Sequence, residues 1–181
     1  MASFATLLHS LDPLYRLLVA TDGTLTEMLE ALSLEKMCLV KLGQEIGPAT
    51  EQVNALDVRP GESLLDRKIL LQGEQTNKTY LYARTQLAMD RLEEPVREGL
   101  LRTNVPLGLL LKQNRMETFK ELLQLRREPA RDLSSYFRND PDTPLLVRTY
   151  RVFSGKQPVM LITEHLPCDL NGNGDRPHSL R

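Results

Sequence analysis

The stretch LLVRTYRVFSGKQPVMLITEHLP, residues 145–167, sets two runs of aliphatic, β-branched and aromatic residues on either side of Ser-Gly-Lys-Gln. Runs of that composition around a turn-forming tetrapeptide predict a closing hairpin of two antiparallel strands. In the second run the side chains alternate, so Met160, Ile162, Glu164 and Leu166 share one face. A carboxylate on an apolar face must find a partner, stay protonated or do chemistry. In the first run Arg148 and Arg151 fall on opposite faces, so at most one of them points inward.

Upstream, LLDRKILL (64–71) and KTYLYARTQL (78–87) flank QGEQTN, a second hairpin. Leu65, Arg67, Ile69 and Leu71 share a face there, which makes Arg67 a second charge on an apolar face. In the partner strand Arg84 shares its face with Tyr80 and Tyr82. KMCLVKLGQEI (36–46) alternates as a strand. METFKELLQLRRE (116–128) fits either state: Met116, Phe119, Leu122 and Leu123 suit a helix, and 119–125 suits a strand.

Helices are expected elsewhere. LDPLYRLLVATDG (11–23) has Pro13 in its first turn and Gly23 after its end, and TLTEMLEALSLE (24–35) has Leu25, Met28, Leu29 and Leu32 at helical spacing. RLEEPVREGLLRT (91–103) reads as helical with Pro95 in an early turn, and VPLGLLLKQ (105–113) as a short apolar turn or helix. The polar stretches 47–63 and 129–144 are loops, the second with room for one helical turn. The sum is an α+β domain with one largely antiparallel sheet over residues 1–167. The tail 168–181, rich in Gly, Asn and charge, reads as disordered.

Composition removes several function classes. A chain of 181 residues suits one domain, and a net charge of −1 offers no basic footprint for nucleic acid. No apolar run reaches the ~18–20 residues of a membrane span, and the first 18 residues lack a basic leader and are broken by Asp12 and Pro13. Cys38 and Cys168 form neither a disulfide framework nor a metal motif, which fits a reducing cytoplasm. His9, His165 and His178 have no metal-ligand spacing. Phosphate-binding and dinucleotide loops and nucleophile elbows are missing, and Ser134 and Ser135 sit in a loop without a base. The expectation is a monomer that takes a small molecule and uses no cofactor and no metal.

Arg67 and Glu164 admit two readings. In one they form a structural ion pair with each other or lie at an exposed strand edge. In the other they line a closed pocket, where the arginine's planar fork holds a substrate carboxylate and the glutamate acts on the opposite end.

LLDRKILL, YLYARTQL, VPLGLLL and VRTYRVFSGKQPVMLITEHLP, in that order and preceded by DGTLTEMLE, make the chain resemble the chorismate lyase family from about residue 10 to residue 167. The order and spacing carry the resemblance; no single motif is highly specific. It implies a single antiparallel sheet with helices packed on it and helical flaps over a buried ligand. It also implies conversion of chorismate to 4-hydroxybenzoate and pyruvate without a cofactor. Position by position, the family's ligand-contacting arginine falls on Arg67, its catalytic glutamate on Glu164, its Pro-Leu-Gly backbone contact on Leu107, and its N-terminal methionine on Leu25. Leucine at that last position keeps the apolar contact and loses the sulfur. Longer or different segments at 77–85 and 110–143 suggest a subfamily, the photosynthetic-bacterial one feeding plastoquinone, hence quinone biosynthesis. Arg84 is a second candidate for substrate, at the enolpyruvyl carboxylate or orienting Glu164. The same architecture resembles effector-binding domains of bacterial transcription regulators; in that alternative the chain senses a small acid and does no chemistry.

Overall fold

A computed structural model describes residues 4–21 and 24–170. Six antiparallel strands form one open sheet in the order β1-β2-β3-β6-β5-β4. They are β1 (Met37–Pro48), β2 (Ser63–Gly73), β3 (Thr79–Ala88), β4 (Phe119–Pro129), β5 (Pro144–Ser154) and β6 (Gln157–Pro167). The two expected hairpins, β2–β3 and β5–β6, are the inner units, and β3 pairs with β6 to join them. The ambiguous segment 116–128 supplies β4, an edge strand, because β5 offers it a full ladder of partners. Tertiary pairing here overrides a pattern that local propensity leaves undecided.

The helices are α1 (Phe4–His9), α2 (Pro13–Ala20), α3 (Leu25–Ser33), α4 (Glu94–Arg102), α5 (Leu107–Gln113) and the single turn α6 (Ser134–Phe137). Asp12 caps α2 by accepting from the Leu14 amide at 2.9 Å, and Pro13 occupies the first turn, where its missing N–H costs nothing. Gly23, expected to follow that helix, lies outside the described residues. In α4, Pro95 occupies the first turn in the same way.

Both helix groups pack on one face of the sheet but at different ends of it. Leu18 of α2 and Leu25 and Leu29 of α3 pack with Ile69, Leu71, Leu81, Leu146 and Leu166. Val96 and Leu100 of α4 and Leu110 of α5 pack with Leu65, Leu87, Met160 and Val152. Each fully buried leucine contributes about 1.5–3 kcal/mol, so each group is anchored separately. Between the two cores runs the middle of the face: Arg67, Thr85, Ile162 and Tyr150 in one cross-strand row, and Ile69, Ala83, Glu164 and Arg148 in the next. The loop 49–62 covers part of the opposite face with Leu56 and Val58.

Cys168 and Leu170, expected in the tail, pack against the first core. Leu170 is 4% exposed within the first core, and its carbonyl accepts from Lys78 Nζ at 2.7 Å. An apolar residue directly after the strand extends the packed chain past Pro167. The rest of the expected tail, 171–181, lies outside the described residues.

Candidate active site

A cavity of about 410 Å³ opens between the two helix groups. Its floor is the sheet face just described, with Arg67, Thr85, Ile162, Tyr150 and Glu164. Its roof is the first turn of α3, with Leu25, and the first turns of α5, with Leu107. Four of the five residues expected in a site therefore meet around one space: Arg67, Glu164, Leu107 and Leu25.

The fifth does not join them. Arg84 stands opposite Lys68 on the other face of the sheet, where its Nε donates to Asp66 Oδ2 at 3.0 Å and to Oδ1 at 3.1 Å. Thr85 and Ala83 take the cavity side of β3, so period-2 alternation turns Arg84 away. The expectation that Arg84 touches a ligand in this cavity is corrected accordingly.

Nor do Arg67 and Glu164 pair with each other. They lie on β2 and β6 with β3 between them. Glu164 stands directly opposite Arg148 of β5, whose Nε donates to Oε2, while Tyr150 Oη donates to Oε1 at 2.9 Å. Arg148 also donates through Nη1 to the Leu18 carbonyl and so ties α2 to the sheet. Burial works against the charge of Arg148, but Glu164 beside it outweighs this and holds the guanidinium above its ordinary pKa. Burial and the neighbouring carboxylate push the Tyr150 phenol well up, so it stays a proton donor. Arg148, Glu164 and Tyr150 form a closed cluster in which both carboxylate oxygens are engaged.

Arg67 is the opposite case. It is 3% exposed, and its Nε and Nη2 are buried with no hydrogen-bond acceptor among the described residues. Burial alone draws its pKa down. An arginine keeps its proton at neutral pH, so the wall of the cavity holds a buried cation with two unpartnered donors. Nε and Nη2 are the two nitrogens along one edge of the guanidinium, the edge that meets a carboxylate through two parallel hydrogen bonds.

The roof is closed by contacts between helices. Gly108 of α5 approaches Thr24 so closely that a Cβ there would lie 2.8 Å from Thr24 Cγ2. Lys112 of α5 reaches Glu27 of α3 at 2.6 Å. Both pairs bridge two separately anchored helices over the cavity.

The family described as Rv2949c-like chorismate pyruvate-lyase matches residues 19–172. The chain belongs to that family. Its curated relatives include the chorismate pyruvate-lyase of Mycobacterium leprae, 29% identical over 159 residues, which are 87% of this chain and 76% of the relative. The enzyme of that name from Mycobacterium tuberculosis H37Rv is 29% identical over 157 residues, 83% of this chain and 77% of its own. Among solved structures, the effector domain of PhnF from Mycobacterium smegmatis superimposes with a TM-score of 0.62 at 15% identity, covering 80% of this chain and 88% of that one. At that identity the likeness is one of fold. The family read from the ordered motifs and the family matched across the chain agree. In this member of the chorismate pyruvate-lyase family, Tyr150 is a residue that sequence reasoning did not single out, and Arg148, weighed there only beside Arg151 as one of two arginines of which at most one points inward, is the one that does. Their signal lay in the register of the closing hairpin, which a bulge alters.

Proposed function

We propose that the protein is a chorismate pyruvate-lyase that converts chorismate to 4-hydroxybenzoate and pyruvate in the cavity between the helix groups. The observation that carries this reading is the buried, unpartnered bidentate edge of Arg67, a residue in the wall of a space that Glu164 also lines from two strands away. Family membership supports the same reaction.

Chorismate carries a ring carboxylate at C1, an enolpyruvyl ether at C3 and a hydroxyl at C4. Arg67 Nε and Nη2 bind the ring carboxylate. Glu164 then lies at the C4 end, held by Arg148 and Tyr150 so that its remaining lone-pair direction is available to the ring. The C4 proton departs, the C3–O bond breaks, and the ring becomes aromatic. The enolpyruvate oxygen leaves with the bond's electron pair, takes up one proton and tautomerises to pyruvate, so the proton lost and the proton gained balance. No electrons enter or leave the two products together, and aromaticity supplies the drive. Glu164 acts as acceptor for the C4 proton and the 4-hydroxyl, a general-base contribution of about 10²–10⁴-fold. Positioning in a dry site between two cores supplies the remainder.

The reading takes the protein to be a monomer. Among the described residues no helix is long and apolar enough to cross a membrane, and a cytoplasmic enzyme feeding quinone formation, plastoquinone included, is the setting we infer. The second reading, a non-catalytic effector-binding domain, shares the fold, which therefore does not separate the two. The Arg148–Glu164–Tyr150 cluster favours chemistry, because a mere carboxylate sensor needs Arg67 but no acceptor at the far end.

The test is direct. Purified protein is mixed with chorismate in the presence of EDTA, and 4-hydroxybenzoate absorbance and pyruvate are followed together. Equimolar appearance of both supports the lyase. Saturable binding of 4-hydroxybenzoate without turnover supports the sensor.

A further inference from the structure

We propose that Tyr150 is a catalytic residue that hands its hydroxyl proton to the departing ether oxygen, so that Tyr150 and Glu164 act on the substrate as one acid–base pair. The proposal rests on the lyase reading and names the donor of the proton that the leaving oxygen takes up. Tyr150 of β5 and Glu164 of β6 both line the cavity. Tyr150 stands opposite Ile162, one cross-strand row from Glu164, and its Oη meets Glu164 Oε1 at 2.9 Å. Arg148 holds the other carboxylate oxygen and is also bound to the Leu18 carbonyl. A guanidinium does not release its proton near neutral pH. Of these two groups in contact with Glu164, the phenol is therefore the one with a proton to give.

The stereochemistry of chorismate calls for such a pair. Its C3 ether and C4 hydroxyl are trans, so the C4 hydrogen and the ether oxygen lie on the same face of the ring, on neighbouring carbons. A base for the one and an acid for the other must then stand side by side. Glu164 Oε1 and Tyr150 Oη are an acceptor and a donor already in contact. Burial and the neighbouring carboxylate hold the phenol in its protonated form until it is used. An enol oxygen and a phenol are also of similar basicity, so the proton passes between them without a large uphill step.

The step balances. The Tyr150 hydroxyl turns from Oε1 to the ether oxygen when substrate fills the cavity, which frees Oε1 as the base. Glu164 takes the C4 proton, and the electron pair of that C–H bond becomes the third ring double bond. The C3–O bond breaks with its pair left on oxygen, which takes the Tyr150 proton and departs as enolpyruvate. The phenolate then recovers a proton from the Glu164 carboxylic acid through the same contact run in reverse. Both residues end as they began, and one proton has moved from ring to leaving group.

Single-turnover rates are measured with full-length protein in excess over chorismate, in light and in heavy water, with unlabelled and with C4-deuterated substrate. Pyruvate is trapped as it forms, and its methyl group is read for deuterium by mass spectrometry. The wild type is expected to be slowed both by heavy water and by C4 deuteration, and in light water to leave no C4 deuterium in pyruvate. Tyr150→Phe is expected to lose about 10²–10⁴-fold in single-turnover rate, to lose the solvent effect, to keep the C4 effect and still to bind 4-hydroxybenzoate. A phenol that merely holds Glu164 would lower the rate on removal but would give the wild type no solvent effect to lose. Normal turnover in Tyr150→Phe, or a solvent effect that survives in it, overturns the proposal. Absence of a solvent effect in the wild type does the same even where Tyr150→Phe fails to fold. Recovery of the C4 deuterium in the pyruvate methyl group overturns it too, since the hydrogen would then have passed directly within the substrate. In each of these cases both products still form and the lyase reading stands. Formation of neither product by the wild type overturns the lyase reading itself.

Discussion

Arg67 and Glu164 are buried to the same degree on the same face, at 3% and 5% exposure, yet their surroundings differ completely. Glu164 has a guanidinium on one oxygen and a phenol on the other. Arg67 has two buried donors with no acceptor among the described residues. The chain therefore completes one charge internally and leaves the other, in the cavity wall, without an acceptor among the described residues. Folding alone does not select a buried cation with open donors, since its desolvation is uncompensated; the carboxylate of the proposed substrate would compensate it.

That difference is broken most severely at Glu164. Glu164→Gln keeps the shape and both neighbours, and turnover of chorismate is expected to fall by about 10²–10⁴-fold while 4-hydroxybenzoate still binds. Steady-state rates with calorimetric binding check this; unchanged turnover would remove Glu164 from the chemistry. Arg148→Met tests the completed side as structure. It leaves a buried carboxylate without its counter-charge and releases the Leu18 carbonyl of α2, so unfolding free energy should drop by about 3–5 kcal/mol in urea titration. Adding Glu164→Gln to it should recover part of that loss.

Arg67→Met is expected to behave in the opposite way. With no counter-charge to orphan, the unliganded protein should lose little stability or gain some, and 4-hydroxybenzoate binding should weaken by about 2–5 kcal/mol. A large loss of unliganded stability would mean that Arg67 is structural after all.

The part of this contrast legible in the sequence follows from alternation. Period 2 put Arg67 among leucines and Glu164 among Met160, Ile162 and Leu166, and both hairpins form where their turns predicted. The partner of Glu164 was not legible. From the turn, Ser154 faces Gln157 and Phe153 faces Pro158, a register that continued unbroken would set Arg148 opposite Thr163. A bulge between Val152 and Phe153 shifts the register by one residue and brings Arg148 opposite Glu164. Nothing in GKQPVM marks that extra residue. A second bulge, between Leu122 and Gln124, similarly hid which residues of β4 face the cavity, Lys120 among them. Arg84 misled for a related reason: tyrosines beside a basic residue suggest a ligand wall, but Asp66 across the strand claims the guanidinium on the outer face.

Glu35 sharpens the comparison as a carboxylate with a purely structural task. It accepts from the Gln75 and Thr76 amides at 2.9 and 3.1 Å, from Thr76 Oγ1 at 2.7 Å and from Tyr80 Oη at 3.2 Å, closing the β2–β3 turn. The Thr76 hydroxyl, more than any other neighbour, holds its pKa below the ordinary value of 4.5. A lowered folded value means that its stabilisation is complete above 4.5 and is lost as pH falls through the folded value. Glu35→Gln should flatten the acid limb of a stability-against-pH curve without changing chorismate turnover near neutrality. An unchanged acid limb would show that the four donors add nothing to the folded state.

The smallest effect is expected in the roof, where the two helix groups meet. Lys112 and Glu27 are both largely exposed, so their ion pair is screened and weak, and Lys112→Met should leave the stability of the fold nearly unchanged. Its place matters more than its strength. The pair joins α3, anchored in one core, to α5, anchored in the other, over the cavity. If product leaves when these helices part, release limits turnover and the pair is one of the contacts that must break. Single-turnover chemistry should then outrun steady-state turnover. Lys112→Met, or raised salt with the native pair, should close that gap by a few-fold by speeding release. Equal single-turnover and steady-state rates, with no inhibition by 4-hydroxybenzoate, would instead mean that the roof stands open during the reaction, and the dry site invoked for the chemistry would have to be closed by the ligand itself.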